Sequence, residues 1–232
     1  MEKSYIIING NEISYYLIKK KMKNVNIRIK PDGNIYLSCP IKMKKEMAEK
    51  FLIEKYNWII KHQNRINEYS TEKETFEENG KVYFLGKIYK LHIIPSKSND
   101  IKIDNESINI YIKEKYAENK NYIQKYYEKF LKEECYKTCE FLIKKYRKEL
   151  PEIEIKKLKT RWGSCSPYQN KVTFNLSLIK TPIECIEYVV IHELSHFKEQ
   201  NHSKKFYNIV ESYISDWKLR RKLLNNKYNI VI

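Results

Sequence analysis

The stretch Ile191-His192-Glu193-Leu194-Ser195-His196-Phe197-Lys198-Glu199-Gln200-Asn201-His202-Ser203 decides the reading of this chain. It has the form H-E-x-x-H-x5-H. Residues four apart lie on one face of an α-helix, so His192 and His196 can reach a single ion. Glu193 sits one position round the helix, close enough to meet a water at that ion without being a ligand. Three imidazole donors with a fourth position open are the layout of a catalytic zinc site, whereas a structural site closes all four. The residue types therefore predict metal-assisted hydrolysis, with His192, His196 and His202 as Zn²⁺ ligands and Glu193 as the catalytic base.

The flanking sequence supports a helix from Ile183 to Gln200. Pro182 suits a first turn, Thr181 is the expected N-cap, and Ile183, Ile186, Val190, Leu194 and Phe197 recur at spacings of three and four. Ser195 is small enough to let another element approach. A lone histidine in such a place is more often a satisfied polar group at a core edge. Three of the chain's five histidines within eleven residues favour a ligand set instead. Asn201-His202-Ser203 reads as a turn, with Ser203 capping a second helix from Lys204 to about Ile214. His202 then lies at a helix junction and can fold back. Glu211 is the rival third donor, and Glu199 a candidate partner behind the ligands.

Composition bounds the rest. The 232 residues are 42% hydrophobic and 13% aromatic, which is enough for a packed core and excludes a disordered chain. The net charge of +16 raises nucleic acid as a partner. The excess is spread along the chain, with only Lys19-Lys20-Lys21-Met22-Lys23 and Lys218-Leu219-Arg220-Arg221-Lys222 as short clusters. A solvated basic surface is the plainer explanation. Five cysteines without framework spacing point to a reducing compartment, and Cys135 and Cys139 read as buried apolar residues. Nothing resembles a signal peptide or membrane span, so the expectation is a cytoplasmic protein with no membrane partner.

The fold class expected is α+β: an antiparallel β-rich N-terminal region, then a mainly helical domain with a small β-hairpin. Hairpin signals at Asn9-Gly10 and around Pro31-Asp32-Gly33 frame the first strands. A helix is expected over 44–67, further strands over 81–112, and a long helix over 119–148 closed by Pro151. The domain boundary is placed between residues 112 and 113, and no internal repeat is legible. Ile153–Leu158 and Lys171–Asn175 are read as the strands of a hairpin spanning 155–175.

Taken together, Arg161-Trp162-Gly163-Ser164-Cys165-Ser166, Phe174-Asn175-Leu176-Ser177-Leu178, His192-Glu193-x-x-His196 and Asn201-His202-Ser203-x-x-Phe206 resemble the YgjP-like metallopeptidase family, which is related to the WLM and SprT-like zinc proteases. The resemblance covers roughly residues 155–215. It implies a gluzincin-like zinc peptidase domain in which His192, His196 and His202 bind the metal and Glu193 is the base. The ligand spacing also matches that of metzincins, H-E-x-x-H-x-x-G-x-x-H, but Glu199 stands at the glycine position. Without that glycine, the helix is expected to run on to Gln200 before the chain turns.

The expected reaction is hydrolysis of peptide bonds in a protein or peptide substrate. Tyr207, Tyr168 and Arg161 are candidates to stabilise the oxyanion. An edge strand of the 155–175 hairpin can hold an extended peptide by strand addition. The structural alternative is that Trp162 packs on the metal helix, Gly163 permits a bend and Arg161 pairs with a carboxylate. Cys165 is read as a small buried residue. Two other functions remain open: an SprT-like protease acting on proteins bound to nucleic acid, and a non-catalytic module in which zinc only staples helices.

Overall fold

The computed structural model describes residues 2–30, 33–68 and 74–228. These form two compact units, residues 2–68 and 74–228. The sequence placed the boundary between 112 and 113. It falls earlier because the strands of 81–113 bury Val82, Leu91, Ile108, Ile110 and Ile112 in one core with the helices that follow.

The first unit contains β1 (Glu2–Ile8), β2 (Asn11–Lys20), β3 (Asn26–Ile29), β4 (Ile35–Pro40), α1 (Lys45–Glu54) and α2 (Tyr56–Glu68). Asn9 and Gly10 both have positive φ, the two-residue turn that an Asn-Gly pair favours, and this fixes the β1–β2 register. One helix was expected over 44–67. Two form, separated at Lys55, and they cover one sheet face through Ala48, Leu52 and Ile59.

The second unit opens with β5 (Lys81–Phe84), β6 (Lys87–Ser96), β7 (Asp100–Ile103) and β8 (Ser107–Lys113). Both four-stranded sheets have the same plan, β1-β2-β4-β3 and β5-β6-β8-β7. The outer pairs are antiparallel as expected, but the central pairs β2/β4 and β6/β8 are parallel. The fold class α+β stands, while the all-antiparallel expectation fails at the centre of each sheet. Each sheet joins two hairpins side by side, so the same topology occurs twice in the chain.

Helix α3 (Lys120–Tyr146) starts at Asn119, whose side-chain oxygen accepts from the Tyr122 N–H at 3.0 Å. Ile123, Tyr127, Leu131, Cys135, Cys139 and Leu142 line its buried face at helical spacing. A three-stranded sheet follows: β9 (Glu152–Lys156), β10 (Gly163–Ser166) and β11 (Lys171–Asn175), in the order β10-β11-β9. The hairpin is therefore β10–β11, and β9 joins the far side of β11 in parallel. This leaves β10 at one edge of the sheet and β9 at the other.

A 3-10 turn, Leu176–Lys180, leads to α4 (Ile183–Ser195), followed by α5 (Lys204–Tyr213) and α6 (Trp217–Lys227). Thr181 does not cap α4. Pro182 holds the N-cap position, and the Thr181 hydroxyl donates to the Leu178 carbonyl at 2.8 Å. Gly86, at φ +80°, lies so close to Pro182 that a β-carbon would be 2.7 Å from its ring. Leu85 and Gly86 donate their N–H groups to Ile179 and Lys180, which ties the second sheet to the entry of α4.

Candidate metal centre

Helix α4 is buried nearly all round, through Cys185, Ile186, Tyr188, Val189, Val190 and Ile191, and is more than the one-sided stripe its sequence suggested. Ile183 is exposed, while Leu194 and Phe197 are partly buried. Such a helix is fixed on every side, so the side chains it carries have defined directions.

The helix was expected to reach Gln200. It ends at Ser195, and residues 196–199 continue as a tight turn in which Lys198 and Glu199 both donate to the Ser195 carbonyl. Glycine is not needed here. His196 is right-handed, at φ −66° and ψ −18°, and among the described residues none from 196 to 203 has positive φ. Arg147 stacks its guanidinium 4.0 Å from the Phe197 ring centroid and donates to the Asn170 side chain at 2.9 Å. These contacts link the turn to the β10–β11 hairpin.

The early turn brings His202 back against the helix. Its Nε2 lies 2.9 Å from Nε2 of His192. One ring nitrogen from each of His192, His196 and His202 falls within 4.8 Å of the others. Phe206, fully buried, packs against all three rings at centroid distances of 4.6 to 4.9 Å. The Ser203 hydroxyl accepts from the Phe206 N–H at 3.3 Å, so the cap that starts α5 also sets the ring that supports the histidines. Among the described residues, Glu211 does not belong to this group. Glu199 contributes its backbone: its carbonyl accepts from His196 Nδ1 at 3.2 Å, while its carboxylate faces Lys205.

Burial, followed by the fields of His196, His202 and Arg221, pushes the His192 imidazole down to about 3. His196 is lowered as well, first by burial. Neutral imidazoles are the form that donates to a metal. Glu193 is buried, and burial raises its carboxyl to about 8, against the pull of Arg161. Gly163 on β10 lies directly against it. A β-carbon there would be 2.7 Å from Glu193 Oε1 and 2.8 Å from Cγ. Gly163 has no positive φ, so it serves close approach and not the bend expected of it.

These groups line a cleft of about 560 Å³, together with Arg161, Trp162, Ser164, Cys165, Tyr168, Tyr188 and Arg221. Of the three oxyanion candidates, Arg161 and Tyr168 line the cleft. Tyr207 does not; it stacks on Trp217 at 4.7 Å and bonds Arg221 at 3.3 Å. Arg161 is near enough for its charge to act on Glu193, but no ion pair holds it among the described residues. Trp162 is partly buried against the core. Cys165 is half-buried, and burial and then Glu193 push its thiol up to about 12, so it stays protonated.

Three further residues shape the site, none of which the sequence reading assigned a role in it. Arg221 and Tyr188 reach the cleft from α6 and α4. Asn175 is buried and donates to the carbonyls of Leu158 at 2.7 Å and Arg161 at 3.0 Å, while its own carbonyl accepts from the Ser177 N–H. Its backbone N–H also bonds the Trp162 carbonyl. Asn175 thus shapes the loop that carries Arg161 and Trp162. Its signal in the sequence is its place in the Phe174–Leu178 motif, an asparagine among apolar residues.

No curated protein sequence matches the chain. A solved structure, that of the metallopeptidase zymogen of Pyrococcus abyssi abylysin, is similar at a TM-score of 0.33 with 22% identity, covering 43% of this chain and 93% of that one. The sequence profile described as YgjP-like, metallopeptidase domain, matches residues 23–227, nearly the whole length. The chain belongs to the YgjP-like metallopeptidase family.

Proposed function

We propose that this metallopeptidase is a zinc enzyme that hydrolyses peptide bonds, with His192, His196 and His202 as ligands and Glu193 as general base. The observation that carries the reading is the convergence of three ring nitrogens within 4.8 Å beside a buried carboxyl. The donor set fits zinc: three imidazoles, two of them (His192 and His196) pushed toward the neutral form by burial, and His196 with its Nδ1 engaged by a backbone carbonyl so that Nε2 is free to donate. When bound, zinc supplies Lewis acidity toward water and the scissile carbonyl.

The chain's residues do the rest. Glu193, whose carboxylate burial makes more basic, takes a proton from the attacking water and returns it to the leaving amine. Gly163 lets the edge strand β10 press close to that carboxyl. The open side of β10 offers an extended substrate the backbone groups to pair with, so recognition rests on main chain more than on side chains. Arg161 stands at the cleft, ready to meet the charge that develops on the oxyanion. A zinc staple without catalysis would not need a buried carboxyl beside the three rings, and keeping one there costs desolvation.

The test is metal content per chain for wild type, His192→Ala and His202→Ala, followed by a peptide-library cleavage assay with Glu193→Gln as control. About one zinc per chain, lost in the histidine variants, with cleavage abolished in a Glu193→Gln protein that still binds zinc, supports the reading. A wild type that takes up no zinc at neutral pH overturns it.

A further inference from the structure

The first sheet buries one face under α1 and α2, through Ile13, Tyr15, Leu17, Ile35, Leu37 and Cys39. Side chains alternate along a strand, so the residues between these stand on the other face. The register sets Lys3 opposite Tyr16, Tyr16 beside Tyr36, and Tyr36 opposite Arg28. These four form one row across all four strands. The two tyrosine rings stack, with centroids 5.0 Å apart and planes 18° from parallel. Lys30 holds its ammonium 4.1 Å from the Tyr36 ring centroid. Alongside on β1, Tyr5 is 54% exposed and Ile7 73% exposed, and Lys3 reaches over the Tyr5 ring. Lys20 ends β2 on this same face.

Fold stability does not account for this surface. Burying Tyr5 and Ile7 would be favourable, and clustered cations repel one another. Among the described residues of the strands, the row's neighbours on the face are Ser14, Ile18, Ser38 and Asn26, and the acid is Glu12, opposite Ile7 at the far end of β1. Among the described residues no ion pair engages Lys3, Lys20, Arg28 or Lys30. Aromatic rings in a line, bracketed by cations that no carboxylate engages among the described residues, complement a ligand that alternates flat rings with negative charges. Single-stranded nucleic acid has that chemistry: its bases stack on aromatic side chains and its phosphates meet the cations. A duplex keeps its base faces stacked inside and cannot use the rings. An acidic peptide would satisfy the cations but offer nothing regular to the tyrosines. Four strands span roughly 15 Å at the usual spacing, room for two or three nucleotides.

We propose that the outer face of the first sheet binds single-stranded nucleic acid, with Tyr16, Tyr36 and Tyr5 as stacking platforms and Lys3, Lys20, Arg28 and Lys30 facing the phosphates. The surface belongs to a different unit from the three histidines, so the proposal stands apart from the proposed hydrolysis.

The test is fluorescence anisotropy of the full chain with labelled oligo-dT of about 20 nucleotides, titrated at several salt concentrations. The duplex of the same length and poly-glutamate serve as competitors. Tyr16→Leu with Tyr36→Leu is expected to weaken binding about tenfold or more, while Tyr16→Phe with Tyr36→Phe, which keeps the rings, retains it. Lys3→Gln with Arg28→Gln is expected to lower the slope of log affinity against log salt by roughly 0.7 for each phosphate that is no longer neutralised. Lys129→Gln with Lys137→Gln on α3 removes the same formal charge elsewhere and should leave the slope unchanged. If the leucine variant fails to fold by circular dichroism, the exposed cation pair decides. Absence of binding to oligo-dT, the same affinity in the cation pair and its α3 control, or displacement by poly-glutamate as effective as by oligo-dT would overturn the proposal.

Discussion

Gly163 and Glu193 are in contact so close that no side chain fits between them: a β-carbon on Gly163 would lie 2.7 Å from Glu193 Oε1. One residue belongs to the edge strand β10 and the other to the helix α4, and the absence of a single methyl group sets how near strand and carboxyl can come. The pair joins the surface proposed to hold substrate to the group proposed to move the proton.

Gly163→Ala should therefore displace the Glu193 carboxylate while leaving the histidines in place. A misplacement of about 1 Å at a reacting group costs on the order of 100-fold in rate. We expect kcat/KM to fall by about that factor with zinc content unchanged. A variant of full activity would mean that Glu193 has room to move without consequence.

Zinc should stabilise the second unit, because the three ligands come from α4 and from the turn that leads into α5. At a free zinc concentration about 1,000 times Kd, the gain is about 4 kcal/mol. Thermal unfolding with zinc and with chelator should show a higher Tm for the zinc form. Phe206→Leu, which thins the ring packing behind the ligands, should shrink that difference. An equal Tm with and without zinc would argue against a site formed in the native state.

Asn175→Ala removes two donors to the carbonyls of Leu158 and Arg161 and the acceptor for Ser177. Leaving these part-buried carbonyls unpaired costs less than the roughly 1–3 kcal/mol each of fully buried ones. Urea unfolding should show a loss of roughly 1–3 kcal/mol. At a temperature where the variant is still folded, kcat/KM should also drop, because the loop bearing Arg161 and Trp162 no longer has its anchor.

Glu187 gives an acid dependence of defined sign. Burial raises its carboxyl, but hydrogen bonds from Lys145, Tyr146 and Arg220 outweigh this and hold it at about 2, below the ordinary 4.5. A depressed folded-state pKa adds stability that is full above the unfolded value and disappears as pH falls toward the folded one. In the chelator-treated protein, wild type should exceed Glu187→Gln in unfolding free energy at pH 7. The gap should narrow steadily below about pH 4.5. A gap that does not change between pH 7 and pH 3 would show that the network does not depend on the Glu187 charge.

Local patterns were legible wherever the chain's nearest neighbours in sequence decide the structure. Asn9-Gly10 announces a two-residue turn because both positions need positive φ. The buried face of α3 follows from its spacing of apolar residues, and the Ser203 cap from its hydroxyl. The early end of α4 was not legible. The missing glycine suggested a longer helix, yet the turn at 196–199 has no positive φ among the described residues and so needs no glycine. The central parallel pairings were hidden too, since hairpin signals fix only the partners that are adjacent in the chain.

The sequence by itself determined the chemistry on offer: two histidines and a glutamate at helical spacing with a third histidine in the turn that follows, an α+β pattern, and a strong positive charge. It did so because side-chain type and local periodicity are carried by consecutive residues. The tertiary structure alone decided that His202 and not Glu211 meets His192 and His196, that β10 is the edge strand beside Glu193, and that Lys3, Tyr16, Tyr36 and Arg28 share one row. Each of these depends on how far the chain turns before it returns, and on which strands pair, which is settled by the packing of buried side chains across long separations in sequence.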